Sequence, residues 1–275
     1  MIRVIDSYNG ISEIFAERTF QIDKWKEYAD YISSGLYRKC IDDISKYDFR
    51  SQIIPVIEYA LSNVDKMKLA HDSFNEMTYN INKKLMRVLG REVEADIILY
   101  LGLGSGAGWA TDLENRPTVL LGIEKIVELG WYDNMSMAAL IYHELGHLWH
   151  FQYRKANRFS DAERDIWQLY TEGIAMYAEQ EILGNADFYH QDDGEWLKWC
   201  KDNRTILFKE YLRRVQVGES VQDFFGDWCS YKGHSDVGYY LGGVIVRSLS
   251  QSMNNQQLCD CDAEQIKERL YIFSK

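Results

Sequence analysis

Two histidines and a glutamate stand inside an otherwise apolar segment, Ala139–Trp149, as His143, Glu144 and His147. Side chains four residues apart lie on one face of an α-helix, so both imidazoles can reach a single metal ion. The apolar neighbours predict a buried helix, in which unpaired polar groups are costly. The pattern therefore predicts a metal site in which Glu144 acts on a water molecule. The alternative is a pair of core histidines bonded to backbone carbonyls.

A catalytic zinc site needs a third protein ligand and one open position. His150 lies about 10 Å from His143 along the helix axis at 1.5 Å per residue, so we expect it beside the ligands or at the surface. Glu172, followed by the small residue Gly173, is the better candidate, because a small residue lets two backbones approach closely. The alternative for Glu172 is a solvated glutamate on an amphipathic helix.

The predicted ligands are therefore His143, His147 and Glu172, holding one metal ion per chain. Two imidazoles and a carboxylate suit Zn²⁺, with manganese and cobalt left as alternatives.

Hydrophobic patterning divides the chain near residue 90. Residues 10–50 and 56–89 have helical spacing and predict a helical N-terminal region at 1–90. A second domain at 91–275 begins with strand-like segments at 93–103 and 118–123. Predicted helices follow at 135–154, from 162 or 167 to 183, and at 193–215, 236–252 and 262–273. This order predicts an α+β fold that is predominantly helical.

The glycine-rich segment 102–108 lies between the two predicted strands. It lacks the Gly-Lys-Ser/Thr ending of a P-loop, and no βαβ unit with a ribose-binding acid follows it. A flexible strand–turn–strand is therefore favoured over a nucleotide site.

The composition of the chain limits the classes of partner and the compartment that we expect. The formal net charge of −11 argues against nucleic acid or an anionic membrane as the main partner. No signal peptide and no apolar run of about 18 residues is visible. The five cysteines are scattered, and free thiols suit a reducing compartment. We therefore expect a cytoplasmic protein.

His143-Glu-Leu-Gly-His147 followed by Glu172-Gly-Ile-Ala-Met-Tyr resembles the gluzincin metallopeptidases, in particular the predicted zinc-dependent proteases among bacterial domains of unknown function. A tryptophan-containing segment follows in those proteins, and residues 195–199 are similar to it. The resemblance covers roughly residues 95–250. It implies a zincin-like catalytic domain with a small sheet, an active-site helix and a glutamate helix. Residues 1–90 carry no such motif and would form a lid, a substrate-binding lobe or a docking surface.

The resemblance also implies further catalytic residues. Tyr239-Tyr-Leu-Gly242 is similar to the Tyr-x-x-Gly helix start of gluzincin aminopeptidases, in which the tyrosine stabilises an oxyanion. Tyr239 fits this frame, and Tyr240 begins an overlapping one; the alternative is that both are core aromatics. His234 resembles the transition-state histidine of thermolysin-like enzymes, with a loop residue as the alternative. Glu179 is a candidate to orient a ligand histidine, or else part of a solvated helix face.

The substrate implied by the resemblance is a peptide or protein, paired in extended form with an edge strand drawn from residues 105–112 or 118–123. Leu113-Glu114-Asn115 is faintly similar to the amine-binding motif of aminopeptidases, but its glycines are out of register. We therefore expect an endo- or oligopeptidase. The alternatives are an aminopeptidase, a zinc-containing binding or regulatory module, and a helical interaction domain without metal.

Overall fold

The computed structural model describes residues 1–14, 20–226 and 228–275. Over these residues the chain is mainly helical and contains a four-stranded mixed sheet, as expected for an α+β fold. The strands are β1 (Ile2–Asp6), β2 (Ala95–Tyr100), β3 (Gly108–Leu113) and β4 (Arg116–Gly122).

The helices before and within the sheet region are α1 (Tyr8–Ile14), α2 (Ile22–Ile32), α3 (Leu36–Ile44), α4 (Ile54–Ser62), α5 (Val64–Thr78), α6 (Ile81–Leu89) and α7 (Ile123–Leu129). The helices after the sheet are α8 (Asn134–Tyr153), α9 (Arg164–Leu183), α10 (Trp196–Asp202), α11 (Arg204–Val217), α12 (Val237–Ser250), α13 (Asn255–Cys259) and α14 (Ala263–Phe273). A π-helical turn precedes α4 at Phe49–Ile53, and short 3₁₀ segments occur at Asp161–Glu163 and Gln222–Phe224.

The predicted helices at 135–154, 162–183, 236–252 and 262–273 are confirmed as α8, α9, α12 and α14. The helix predicted at 193–215 is interrupted at Asn203, so it forms α10 and α11. Helix α7 was not predicted, because its seven residues are too few to show a helical period.

The sheet has the order β1-β2-β4-β3, with β1, β2 and β4 parallel and β3 antiparallel to β4 at the edge. Every residue of β2 is buried, as its continuous apolar run predicts for a strand inside a parallel sheet. Asp96, the one charged residue of β2, is paired by a guanidinium from each side. Its carboxylate accepts a hydrogen bond from Arg3 Nε at 3.0 Å and one from Arg116 Nε at 2.5 Å.

The structure has two compact units, one of Met1–Arg87 with Arg91–Leu148 and one of Val88–Gly90 with Trp149–Lys275. The helical region predicted at residues 1–90 contains a strand that was not predicted, β1, which pairs with β2 in the register Val4↔Ile97. This pairing joins residues more than 90 positions apart, and local periodicity carries no information about it.

No helix among the described residues combines the length and the apolar character needed to cross a bilayer.

Helices α9 and α12 of the second unit cross with their backbones in contact. A Cβ atom built on Gly173 would lie 2.4 Å from the Gly242 carbonyl oxygen, and one on Gly242 would lie 2.5 Å from the Leu169 carbonyl oxygen. Both distances are too short for a real contact. The crossing therefore requires glycine at both positions.

Gly242→Ala is expected to lower the free energy of unfolding by about 2 kcal/mol or more, because the clash outweighs the roughly 1 kcal/mol gain in helix propensity. Chemical denaturation would measure the change. The matched control on the same helix is Gly243→Ala, whose Cβ would meet only the Tyr189 hydroxyl, at 3.3 Å, and Met176 Cβ, at 3.6 Å. Equal stability of the two variants would contradict a backbone contact at Gly242.

Candidate metal centre

The side chain of Asp133 accepts hydrogen bonds from the first backbone amides of helix α8. The Asp133 Oδ1 accepts hydrogen bonds from the backbone of Met135 at 2.8 Å and of Ser136 at 3.1 Å. Such a side-chain acceptor satisfies donors that have no partner inside the helix.

The middle of α8 is buried, as its apolar flanks predict. His143 and Glu144 are each 8% exposed. The rings of His143 and His147 meet edge to face, with centroids 4.9 Å apart. The four-residue spacing has therefore placed both imidazoles on one face of the helix.

Glu172 lies on α9, immediately before the glycine at the α12 crossing. One ligand atom from each of His143, His147 and Glu172 lies within 4.8 Å of the other two. His143 is buried, whereas His147 and Glu172 are partly exposed. The structure therefore brings together the three predicted ligands.

This donor set fits zinc in its chemistry. Two imidazole nitrogens and one carboxylate oxygen are a ligand set found in catalytic zinc sites, which leave a fourth position open. Ligands of a tetrahedral zinc ion stand about 3.4 Å apart at bond lengths near 2.1 Å. The three ligand atoms lie up to 4.8 Å apart, which is more than this. Side-chain movements of about an ångström would therefore be needed to bring all three within bonding distance of one ion.

Glu144 is held by the sheet. Its Oε2 accepts a hydrogen bond of 2.8 Å from the backbone amide of Ala110 on β3. A Cβ atom on Gly108 would lie 2.7 Å from Glu144 Oε1, so the carboxylate occupies space that only a glycine leaves open. Glu144 is therefore oriented by β3, while its neighbour His143 belongs to the ligand group.

The hairpin geometry explains why the Ala110 amide is available. Glu114 and Asn115 form the two-residue turn between β3 and β4, with φ of +53° and +62°, as in a type I′ turn. Antiparallel pairs alternate between bonded and non-bonded positions, counted from the pair that closes the turn. Ala110 is three positions before that pair, so its amide points away from β4 to the open side of the strand.

The hairpin also determines how far Glu114 lies from Ala110, the residue whose amide bonds Glu144. Four residues of extended strand separate it from Ala110, about 13 Å at 3.3 Å per residue. It is exposed, and its carboxylate accepts a hydrogen bond from the Ser34 hydroxyl. This placement gives no support to an amine-binding role for Glu114 next to Glu144.

Tyr239 and Tyr240 face different surroundings. Tyr240 is 3% exposed and packs against Tyr189, with ring centroids 6.1 Å apart. Burial raises the pKa of Tyr240 to about 12, which keeps its hydroxyl protonated. Tyr239 is half-buried and contacts the ring of Phe225 at 5.8 Å. It lies one helical turn before Gly242, and therefore on the side of α12 that crosses α9 beside Glu172.

Asp236 fixes the start of α12. It adopts φ of +59°, and its carboxylate accepts hydrogen bonds from Gly226 N at 2.6 Å and Gln191 Nε2 at 3.2 Å. His234 lies just before it in a tight loop, where its ring stacks on Trp199 at 3.8 Å. Stacking fixes the plane of the His234 ring.

His150 and Glu179 are each 0% exposed, so the surface alternative for His150 and the solvated alternative for Glu179 are wrong. The other alternative for each residue stays a prediction. His150 lies among the rings of Phe151, Trp167 and Tyr170, the last meeting it edge to face at 4.9 Å. The apolar pattern of the two helices missed this burial, because it treats every polar residue as exposed.

Two interactions of the structure have no signature in the residue types. The Ala110 amide is a backbone donor, so residue type does not reveal it. Glu124 is a buried carboxylate that accepts hydrogen bonds from the backbone of Gly102 at 2.6 Å and of Gly104 at 2.9 Å. Its nearest signal in the sequence was the glycine-rich segment itself.

Comparisons of the chain with family models, with curated proteins and with solved structures found no match.

The purified chain, stripped of metal, is expected to take up one Zn²⁺ per molecule in a calorimetric titration. Glu172→Gln and His143→Ala should each weaken the affinity at least about 100-fold, because losing a ligand costs more than losing one of its outer hydrogen-bond partners. The control on α9 is Glu181→Gln, whose carboxylate bonds Arg247 at 2.9 Å. Unchanged zinc affinity in Glu172→Gln would remove Glu172 from the site.

Proposed function

We propose that this chain is a zinc-dependent peptidase of the gluzincin type that cuts within peptides. The observation that carries the proposal is the convergence of ligand atoms from His143, His147 and Glu172. Glu144 supports it, because a purely structural metal site has no need of a carboxylate beside the ligands.

The chemistry divides between the metal and the chain. A zinc ion held by the three ligands would act as a Lewis acid and make water nucleophilic near neutral pH. Glu144 would accept the proton of the attacking water and pass it to the leaving amine. The Ala110 amide orients this carboxylate through Oε2.

The open side of β3 offers a place for the substrate backbone. Backbone groups of Gly108, Ala110 and Asp112 point away from β4 by the alternation of the hairpin. Of these groups, the Ala110 amide bonds Glu144 and the Asp112 carbonyl accepts a hydrogen bond of 3.2 Å from Lys39 Nζ. An extended peptide added to this edge would gain main-chain hydrogen bonds with little dependence on its sequence. It would also run past Glu144, because Ala110 is itself bonded to that carboxylate.

Tyr239 is the better candidate for stabilising the oxyanion of the tetrahedral intermediate. It stands on the side of α12 that crosses α9 at Gly173, the residue after Glu172. Tyr240 packs on Tyr189 in the core instead. A positioned hydroxyl donor of this kind contributes most where water is excluded.

Three features support a zincin-like arrangement as part of this proposal. The sheet is small and mixed, its antiparallel edge strand contacts the helix that carries His143 and Glu144, and a second helix supplies Glu172. The exposed turn position of Glu114 favours internal cleavage over removal of N-terminal residues.

A mixed peptide library incubated with the zinc-loaded chain is expected to yield internal cuts, detected by mass spectrometry. Glu144→Gln should reduce the rate by about 10²–10⁴-fold, because it removes the general base and keeps the ligands. Zinc content measured in both samples controls for loss of the metal. Bound zinc without cleavage of any peptide would favour a binding or regulatory module, and cleavage only beside a free N-terminus would favour an aminopeptidase.

Tyr239→Phe is expected to lower kcat by about 10²-fold with a small change in KM, because an oxyanion donor acts in the transition state. Tyr240→Phe, one residue away on the same helix, should change kcat by less than about threefold. The pair is compared by steady-state kinetics on one peptide from the library. A larger loss in Tyr240→Phe would reverse the assignment.

A further inference from the structure

The glycine-rich segment 102–108 connects β2 to β3 and is bonded at both ends. At its start, the amides of Gly102 and Gly104 donate to the two carboxyl oxygens of Glu124. At its end, the carbonyl of Ala107 accepts a hydrogen bond of 3.0 Å from the amide of Gly122 on β4. The path of the segment is therefore set by one carboxyl group and one strand.

Glu124 lies in the first turn of α7 and is 0% exposed. The space for its carboxyl group exists because two neighbours lack side chains. A Cβ atom on Gly102 would lie 2.5 Å from Glu124 Oε1, and one on Gly122 would lie 3.1 Å from the same atom. These glycines are thus explained by the carboxyl group, with no need for a nucleotide.

The segment leads directly to the residues that hold Glu144. Gly104 is four residues from Gly108, whose missing side chain makes room for Glu144 Oε1, and six from Ala110, whose amide bonds Oε2. A displacement of about an ångström where β3 begins would break this bond or bring the strand against the carboxylate.

We propose that Glu124 is a positioning residue, which fixes β3 against Glu144 through the glycine-rich segment 102–108. Its effect on catalysis rests on the proposed peptidase function, whereas its effect on the position of β3 does not.

No cation is paired with Glu124 among the described residues. The titratable groups around it are Tyr28 of α2, Cys40 of α3 and Tyr100 of β2, each with a pKa raised mainly by burial and therefore neutral. Lys125, the next residue of α7, bonds Glu128 at 2.7 Å. Burial raises the pKa of Glu124 to about 7, against the opposing effect of the Gly104 and Gly102 amides.

The direction of the pH dependence follows from linkage. Inside the closed structure Glu124 keeps its proton up to about pH 7, whereas in water it would lose the proton near 4.5. Deprotonation therefore favours any opening that hydrates Glu124. Its contribution to closure is complete below about pH 4.5 and is lost as the pH rises through about 7.

Amide hydrogen exchange of residues 102–110, corrected for the intrinsic effect of pH, tests the proposal in the zinc-loaded full-length chain. In the wild type, protection of this segment is expected to fall as the pH rises from about 4.5 to about 7. Glu124→Gln should abolish this dependence, because its amide is neutral at every pH. Glu124→Ala removes both acceptors and should lower protection at pH 6 at least about tenfold. Glu128→Gln, on the same helix, should behave as the wild type.

Steady-state kinetics supply a second readout. Glu124→Ala is expected to raise KM for a peptide more than it lowers kcat, because β3 would bind the substrate backbone, with zinc affinity unchanged. Should Glu124→Ala fail to fold, the loss of pH dependence in Glu124→Gln still decides the question.

Protection lost equally throughout the chain, or a pH dependence of residues 102–110 that persists in Glu124→Gln, would overturn the positioning role. A wild-type chain that cuts no peptide would contradict the proposed function. The hydrogen-exchange measurement would then decide the role of Glu124 by itself.

Discussion

The hydrogen bond from the Ala110 amide to Glu144 joins the sheet to helix α8, and much of the candidate site depends on it. A carboxylate that is 8% exposed needs a donor, and the bonded positions of β3 are engaged with β4. Only the alternate residues of the edge strand can supply one. The bond therefore fixes which strand lies beside α8 and requires Gly108 at the point of closest approach.

Glycine is used repeatedly to make room for another group. Gly108 accommodates the Glu144 carboxylate, Gly102 and Gly122 accommodate that of Glu124, and Gly173 and Gly242 let α9 and α12 touch. In each case a polar group or backbone lies where the Cβ would stand, and at Gly108 the Cδ1 atom of Leu140 lies equally close, at 2.7 Å. This explains why the glycine-rich segment resembles a phosphate loop in composition while its amides are directed at a protein carboxyl group.

The interior contains more titratable groups than stability alone would favour. Glu124, His150 and Glu179 are each fully buried, and burial of an ionisable group disfavours its charged form. Such local departures from the best packing are common where function constrains a fold. For Glu124 the free-energy cost of burial is limited, because hydrogen bonds from two backbone amides oppose the effect of burial on its pKa.

The sequence by itself determined the helices α8, α9, α12 and α14 and the residues that could hold a metal, because helical periodicity and four-residue spacing are local properties. The tertiary structure decided what depends on distant contacts. It paired β1 with β2, buried His150 and Glu179, directed Tyr240 into the core, and placed Glu124 beneath the glycine-rich segment. Each of these features depends either on a contact between positions far apart along the chain or on the direction of one side chain. Residue type and local sequence pattern contain no information about either.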